Sequence, residues 1–359
     1  MCSVFLLAPS AGLQLDGLPT MREMFKAEGM EHQFRVIEPL MHGRAPESLP
    51  RVLRAAKVLL PSDGPDALKT VRRALYEADP VAREEVSSWG VWEAARHGMG
   101  SISGTLLDWT ISHCVEVERA AAEAEKLIGR GDFRGAATSI RRSDTLATYM
   151  SERMAEDLAG ARSDADSLRS RAAALFEFQV SQVARVEVRL RAERAPLNVG
   201  GFLPLLVPAK NGRCRPGGEF LRWLQRRRGL PTIKSVLDQS AAQSKAGFGP
   251  VNEATLKRWS CGASFPTQEK LKALVRALAT TPSSEEPDAN ELEAAWYQFW
   301  AARRFNLVLT LAEQIVDRDQ AVPESRRMLY LMDTDSIDEW SRRRYAWWLA
   351  FWTERAVPA

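Results

Sequence analysis

Cysteine and histidine are scarce in this chain, with four of each among 359 residues. Cys2, Cys114, Cys214 and Cys261 lie far apart, so there is no CxxC pair, no Cys/His cluster of zinc-site spacing and no disulfide framework. Such cysteine usage fits a reducing, cytoplasmic setting. Long apolar runs are missing too. The opening MCSVFLLAPSAG has no basic n-region and too short an apolar run for a signal peptide, and no later stretch reaches the roughly 18 apolar residues of a membrane span. No membrane partner is expected. Neither GxSxG nor GxxxxGK[ST] occurs, and the run from His97 to Gly104 (HGMGSISG) reads as a helix connection. His113 follows Asp108 by five residues and Ser103 by ten, but only a fold that gathers them would make a hydrolase constellation. His32 and His42 stand alone. No catalytic residue, metal ligand or cofactor is assigned, and enzymatic activity is not expected.

What the chain does have is helical patterning, supported by 45% hydrophobic content and a length sufficient for two or three cored domains. An all-α, multi-domain protein is expected. Residues 1–110 mix short apolar runs with Pro and Gly, so helices there must be short. Residues 111–195 are almost free of Pro and rich in Ala and charge. They read as a bundle or hairpin of long helices over 111–128, 136–158 and 163–194, with GRGDFRG at 129–135 as a turn. The Pro- and Gly-rich 196–218 reads as a linker. A module at 219–280 follows, then an acidic linker at 281–290 and a Trp-rich helical region at 291–359.

The module is set apart by charge. Between Lys210 and Pro282 fourteen Lys and Arg face four Asp and Glu, a local net of +10 in a chain whose total is +3, so the remainder carries −7. Within it, 251–278 (VNEATLKRWSCGASFPTQEKLKALVRAL) reads as a short helix, a Gly-containing break, a Pro and a second amphipathic helix. Thr255, Leu256 and Trp259 place apolar groups on one side of the first helix and Lys257 and Arg258 on another, and Gly262 is suited to close it. Pro266 stops continuation. Thr267 is positioned to cap the next helix, where Leu271, Leu274, Val275 and Leu278 recur at i, i+3, i+4 and i+7.

This order of residue types resembles the third and fourth helices of the phage-repressor, or XRE-type, helix-turn-helix family. Upstream, 220–230 (FLRWLQRRRGL) resembles that family's first helix and 233–243 its second. The resemblance covers about a fifth of the chain and implies duplex DNA binding, with transcriptional control as the expected role. It implies that Asn252, Glu253, Ala254 and Arg258 start or face outward from the recognition helix and meet base edges. Arg222, Arg226, Arg227, Arg228, Lys234 and Lys257 would contact phosphates. Paired half-sites further imply a homo-oligomer, joined through the middle helices or the Trp-rich C-terminus.

A rival reading is carried by three departures. The connection at 244–250 is longer than the family's turn, Ser260 and Cys261 stand where the family carries Glu and Asn, and Glu253 would meet phosphate with like charge. In that reading the module belongs to a protein-assembly or phage-defence component, and its basic face holds a protein partner or binds nucleic acid without sequence preference. The last helix starts at Ser336, where SIDE forms a capping box with Glu339. Its Trp340, Trp347, Trp348, Phe351 and Trp352 read as core against the aromatic helix at 291–317. An interfacial membrane anchor and an exposed partner-binding face are the alternatives.

Overall fold

The computed structural model describes residues 106–195, 197, 200–208, 213–227, 229–232, 234–235, 253–261, 274, 289–319 and 322–355. It is all-α: among the described residues there is no strand, only an isolated antiparallel bridge between Pro208 and Cys214. The helices are α1 (Leu106–Gly129), α2 (Phe133–Arg142), α3 (Asp144–Ala147), α4 (Glu152–Ala159), α5 (Asp164–Ala192), α6 (Pro216–Arg227), α7 (Glu253–Ser260), α8 (Ala289–Arg318), α9 (Met328–Leu331) and α10 (Ile337–Arg355). The chain divides into two compact units, one up to Phe178 and one from Gln179, with the division inside α5.

In the first unit, α1 turns into α2 through Gly131, whose φ of +77° is the left-handed conformation that glycine adopts without steric cost. Asp132 then caps α2 by accepting from the Gly135 amide at 2.8 Å. Phe133, Ala136, Ala137 and Ile140 form the buried face of α2, which packs on both α1 and α4. A single helix over 136–158 is not what forms. Ser143 accepts from the Leu146 amide and Ser151 from the Met154 amide, so the chain restarts twice as α3 and α4. Serine hydroxyls offer the backbone this local alternative, which spacing of apolar residues does not reveal. His113 is buried: its Nε2 lies 2.9 Å from the Tyr149 hydroxyl, and the Tyr149 ring meets Phe178 edge to face.

The second unit is built on α8, which packs against α6, α9 and α10. Within the interval expected as a linker, residues 200–208 and Cys214 form a packed strap. Phe202, Leu205, Leu206 and Cys214 are buried, and a 3₁₀ turn over Leu203–Leu206 touches α6, α8 and α10. The first helix of the module, α6, packs on α8 of the Trp-rich region. Phe220 of α6 meets Phe299 of α8 at 5.7 Å between ring centroids, and both belong to one compact unit.

The strap is tied by a buried carboxylate. Glu187, with no exposed surface, accepts the Phe202 amide at 2.6 Å, the Tyr345 hydroxyl and the Arg191 guanidinium. Gly201 has φ of +62°, and a Cβ there would collide with both carboxylate oxygens, so only glycine lets the strap close over Glu187. Burial, with the Glu187 charge beside it, raises the Tyr345 phenol well above its ordinary range. A second tie runs from the Cys214 amide to Asp338 at 2.7 Å, while the thiol donates to the Leu206 carbonyl. Burial pushes that thiol up to about 12, which disfavours the reactive thiolate.

The last helix begins as its sequence requires, with the Glu339 amide donating to the Ser336 hydroxyl at 3.2 Å. Trp340, Tyr345 and Trp348 are fully buried, and Tyr345 meets Phe305 of α8 edge to face at 5.2 Å. No helix among the described residues is long and apolar enough to cross a membrane.

Candidate nucleic-acid interface

α7 spans only eight residues, too few to be stable alone, so tertiary contact must hold it. Leu256 and Trp259, three apart on one face, are buried, and α7 packs against α6. Its Ser260 hydroxyl donates to the Lys257 carbonyl at 2.9 Å and the Cys261 amide to the same carbonyl at 3.0 Å, which satisfies the last turn. The outward face carries Glu253, Ala254, Lys257 and Arg258, all exposed.

The seat on α6 depends on a residue that sequence reasoning assigned to a linker. A Cβ on Gly218 would approach the Ser260 carbonyl oxygen to 2.9 Å, so the first turn of α6 and the last turn of α7 meet backbone to backbone. Gly218 therefore sets the approach of the two helices. The signal was the Pro-Gly-Gly at 216–218: Pro suits a first helical position, and the glycines remove side chains where another element comes close. α6 itself is anchored by Phe220, Leu221, Trp223 and Leu224.

The basic residues divide between these two helices. Arg222 is exposed but paired with Glu219 one turn earlier. Arg226 and Arg227 are exposed at the end of α6, and by helical rise Arg226 lies about 12 Å along the axis from Gly218. Beyond it α6 closes in a Schellman pattern: Gly229 has φ of +62°, the Leu230 amide returns to the Gln225 carbonyl and the Gly229 amide to that of Arg226. Thr232 then accepts from the Ser235 amide at 3.1 Å, where the next helical residues, Lys234 and Ser235, begin. Lys234 is exposed. Thus Lys257 and Arg258 lie on α7 near its contact with α6, while Arg226, Arg227 and Lys234 follow at the far end of α6.

Several expectations fall outside the described residues: Asn252, Arg228, the body of the helix expected over 233–243, Gly262, Pro266, Thr267, and all of 1–105 with the His97–Gly104 run. Of the stripe expected after Thr267, Leu274 is helical and buried. His113 lies against Tyr149, Phe178 and Glu116. Among the described residues no group of three or more His, Cys, Asp or Glu side chains could hold a metal ion.

No protein-family model, no curated protein and no solved structure matches this chain. Function must therefore be read from the exposed chemistry of α6 and α7.

Proposed function

We propose that this protein binds duplex DNA through α7 and acts in transcriptional control, in the manner of a repressor-like helix-turn-helix module. The observation that carries the reading is the division of α7, with Leu256 and Trp259 seated against α6 and Lys257 and Arg258 presented to solvent. A short helix held this way offers side chains to a groove without unfolding. Arg258, with Asn252, Glu253 and Ala254, reads bases, and its guanidinium is able to pair with guanine through two parallel hydrogen bonds. Arg222, Arg226, Arg227, Arg228, Lys234 and Lys257 position the protein on phosphates, and the local net of +10 supplies the field that gathers it to a polyanion. Homo-oligomerisation would pair two such helices on adjacent half-sites.

The exposed carboxylate of Glu253, a like charge toward phosphate, favours a second reading, in which the same face holds a protein partner. One experiment separates the two: full-length protein is mixed with random duplex DNA across a salt series, and the retained DNA is sequenced. An enriched motif with a steep salt slope is the expected result. Salt-sensitive retention without enrichment reduces α7 to a non-specific anchor, and no retention at low salt transfers the face to a protein partner.

A further inference from the structure

The outer face of α10 carries an exposed seam whose order is self-complementary. Trp340, Tyr345 and Trp348 are fully buried and seat the helix, while on its far side Arg343, Trp347, Ala350 and Glu354 are all exposed. These four follow one another at spacings of four, three and four, the heptad register by which one helix lies along another, and they run for about 16 Å. Trp347, the large member, is 43% exposed. Its ring is already oriented, with the Arg344 guanidinium 4.3 Å from its centroid and the Phe351 ring stacked on it at 5.2 Å and 29°. Ala350 is the small member. Arg343 donates one of its N–H groups to the Asp333 carbonyl, which steadies the guanidinium and leaves its other donors available. Among the described residues neither Arg343 nor Glu354 has an oppositely charged partner.

We infer that this seam is a homodimer interface, in which α10 packs antiparallel on α10 of a second copy about a two-fold axis. The order of the residues selects that occupant. Outward from the midpoint between Trp347 and Ala350, one half of the seam reads large then positive and the other small then negative. An antiparallel pair centred there sets Arg343 against Glu354 of the partner subunit and Trp347 against Ala350 of the partner subunit, and the two-fold axis makes each contact twice. Large rings then fill the space that small residues leave, and each end charge meets its opposite. A parallel pair would instead set Arg343 against Arg343 and Trp347 against Trp347, like charges and two bulky rings. An exposed Trp whose ring is held in advance loses little freedom on burial, which suits it to anchor such a contact. The dimer supplies the pairing that the reading of α7 calls for, and its part on DNA rests on that reading; the association itself involves no DNA.

The test is sedimentation velocity of full-length protein, without DNA, over a concentration series. A seam this short buries less than a standard interface, so a reversible equilibrium between monomer and dimer is expected. Arg343→Glu and Glu354→Arg, each alone, oppose like charges twice per dimer and should each weaken association about tenfold. The double variant restores both pairs with their signs exchanged and should return close to the parent. Because Arg343→Glu gives up the bond to Asp333 in the single and the double variant alike, recovery in the double variant reports the pairing and not the local fold. Trp347→Ala should leave the protein monomeric over the same series. A parent that stays monomeric throughout would overturn the dimer and pass the seam to a different protein, and a double variant no better than the single ones would overturn the antiparallel pairing. A duplex titrated in parallel keeps the two readings apart: a dimer that binds no duplex removes the α7 reading alone, and a monomer that binds duplex removes the dimer alone.

Discussion

Two helices of the second unit carry aromatic and basic residues side by side, but they are held in opposite ways. α10 is locked into the unit by polar ties: the buried bond of Tyr345 to Glu187, and the part-buried bonds of Asp338 to the Cys214 amide and of the Trp352 indole to Ser181. α7 rests on Leu256, Trp259 and a backbone contact at Gly218. Hydrogen bonds to a buried charge are specific and costly to break on one side, whereas an apolar seat of two side chains can be lost while the rest of the unit stands. The difference teaches that the unit's stability and its candidate reading surface are separable, so each can be altered alone.

The sharpest way to break that separation is to remove the carboxylate that ties α5, the strap and α10. Glu187→Ala leaves the Phe202 amide, the Tyr345 hydroxyl and Arg191 without their acceptor, and a destabilisation on the order of 3–5 kcal/mol is expected in urea unfolding. If the midpoint hardly moved, Glu187 would not be the tie. The same region gives an alkaline signature. The Cys214 thiol is raised from 9.0 to about 12, and the Tyr345 phenol is raised above 10.0. Both hold their protons in the folded chain where the unfolded chain has lost them. Stability is then complete below about pH 9 and falls as pH rises. Unfolding midpoints taken from pH 8 to pH 11 should decline, and Cys214→Ala should flatten the early part of the decline.

Next in size is the seat of α7. Trp259→Ala removes the larger of its two anchors, a cost of about 3 kcal/mol for a buried aromatic. Because α7 is tied so locally, that cost should appear as faster amide exchange over Glu253–Ser260 and loss of duplex binding, with a smaller shift of the global midpoint than Glu187→Ala gives. Equal global effects would join the two regions and cancel the comparison. Arg258→Ala should leave the fold intact and weaken discrimination between the preferred duplex and a random one by about 1–3 kcal/mol. Uniform loss on all sequences would make Arg258 a phosphate contact.

How much of this could be read in the sequence depends on the range of each interaction. The turn at 129–135 and the start of α10 were legible because Gly131, Asp132 and Ser336 act within a few residues of where they stand. The orientation of α7 was legible for the same reason, since Leu256 and Trp259 on one face and Lys257 and Arg258 on another are a matter of helical period. The breaks before α3 and α4 were hidden because Ser143 and Ser151 look like ordinary surface serines until they cap. The Glu187 tie was hidden by distance: Tyr345 lies 158 residues away in sequence. The packing of residues 200–208 was not legible, since Pro and Gly there signal the absence of regular helix, and nothing local tells a packed irregular segment from a free one.

The smallest change tests the contact that joins the two helices of the candidate interface. Gly218→Ala adds one methyl group 2.9 Å from the Ser260 carbonyl oxygen, closer than real Cβ atoms approach, and the obstacle is backbone and so does not swing aside. α6 and α7 must therefore part slightly at that end. Overpacking of this kind costs about 1–3 kcal/mol, and the gain in helix propensity from Ala offsets up to about 1 of it. The global midpoint should thus move little. Arg258 and Lys257 lie within one turn of Ser260, so parting the helices re-aims them. Duplex discrimination should fall while the number of released counterions, read from the salt slope, stays the same. If discrimination is unchanged, the crossing of α6 and α7 does not set how α7 is presented, and Gly218 serves packing alone.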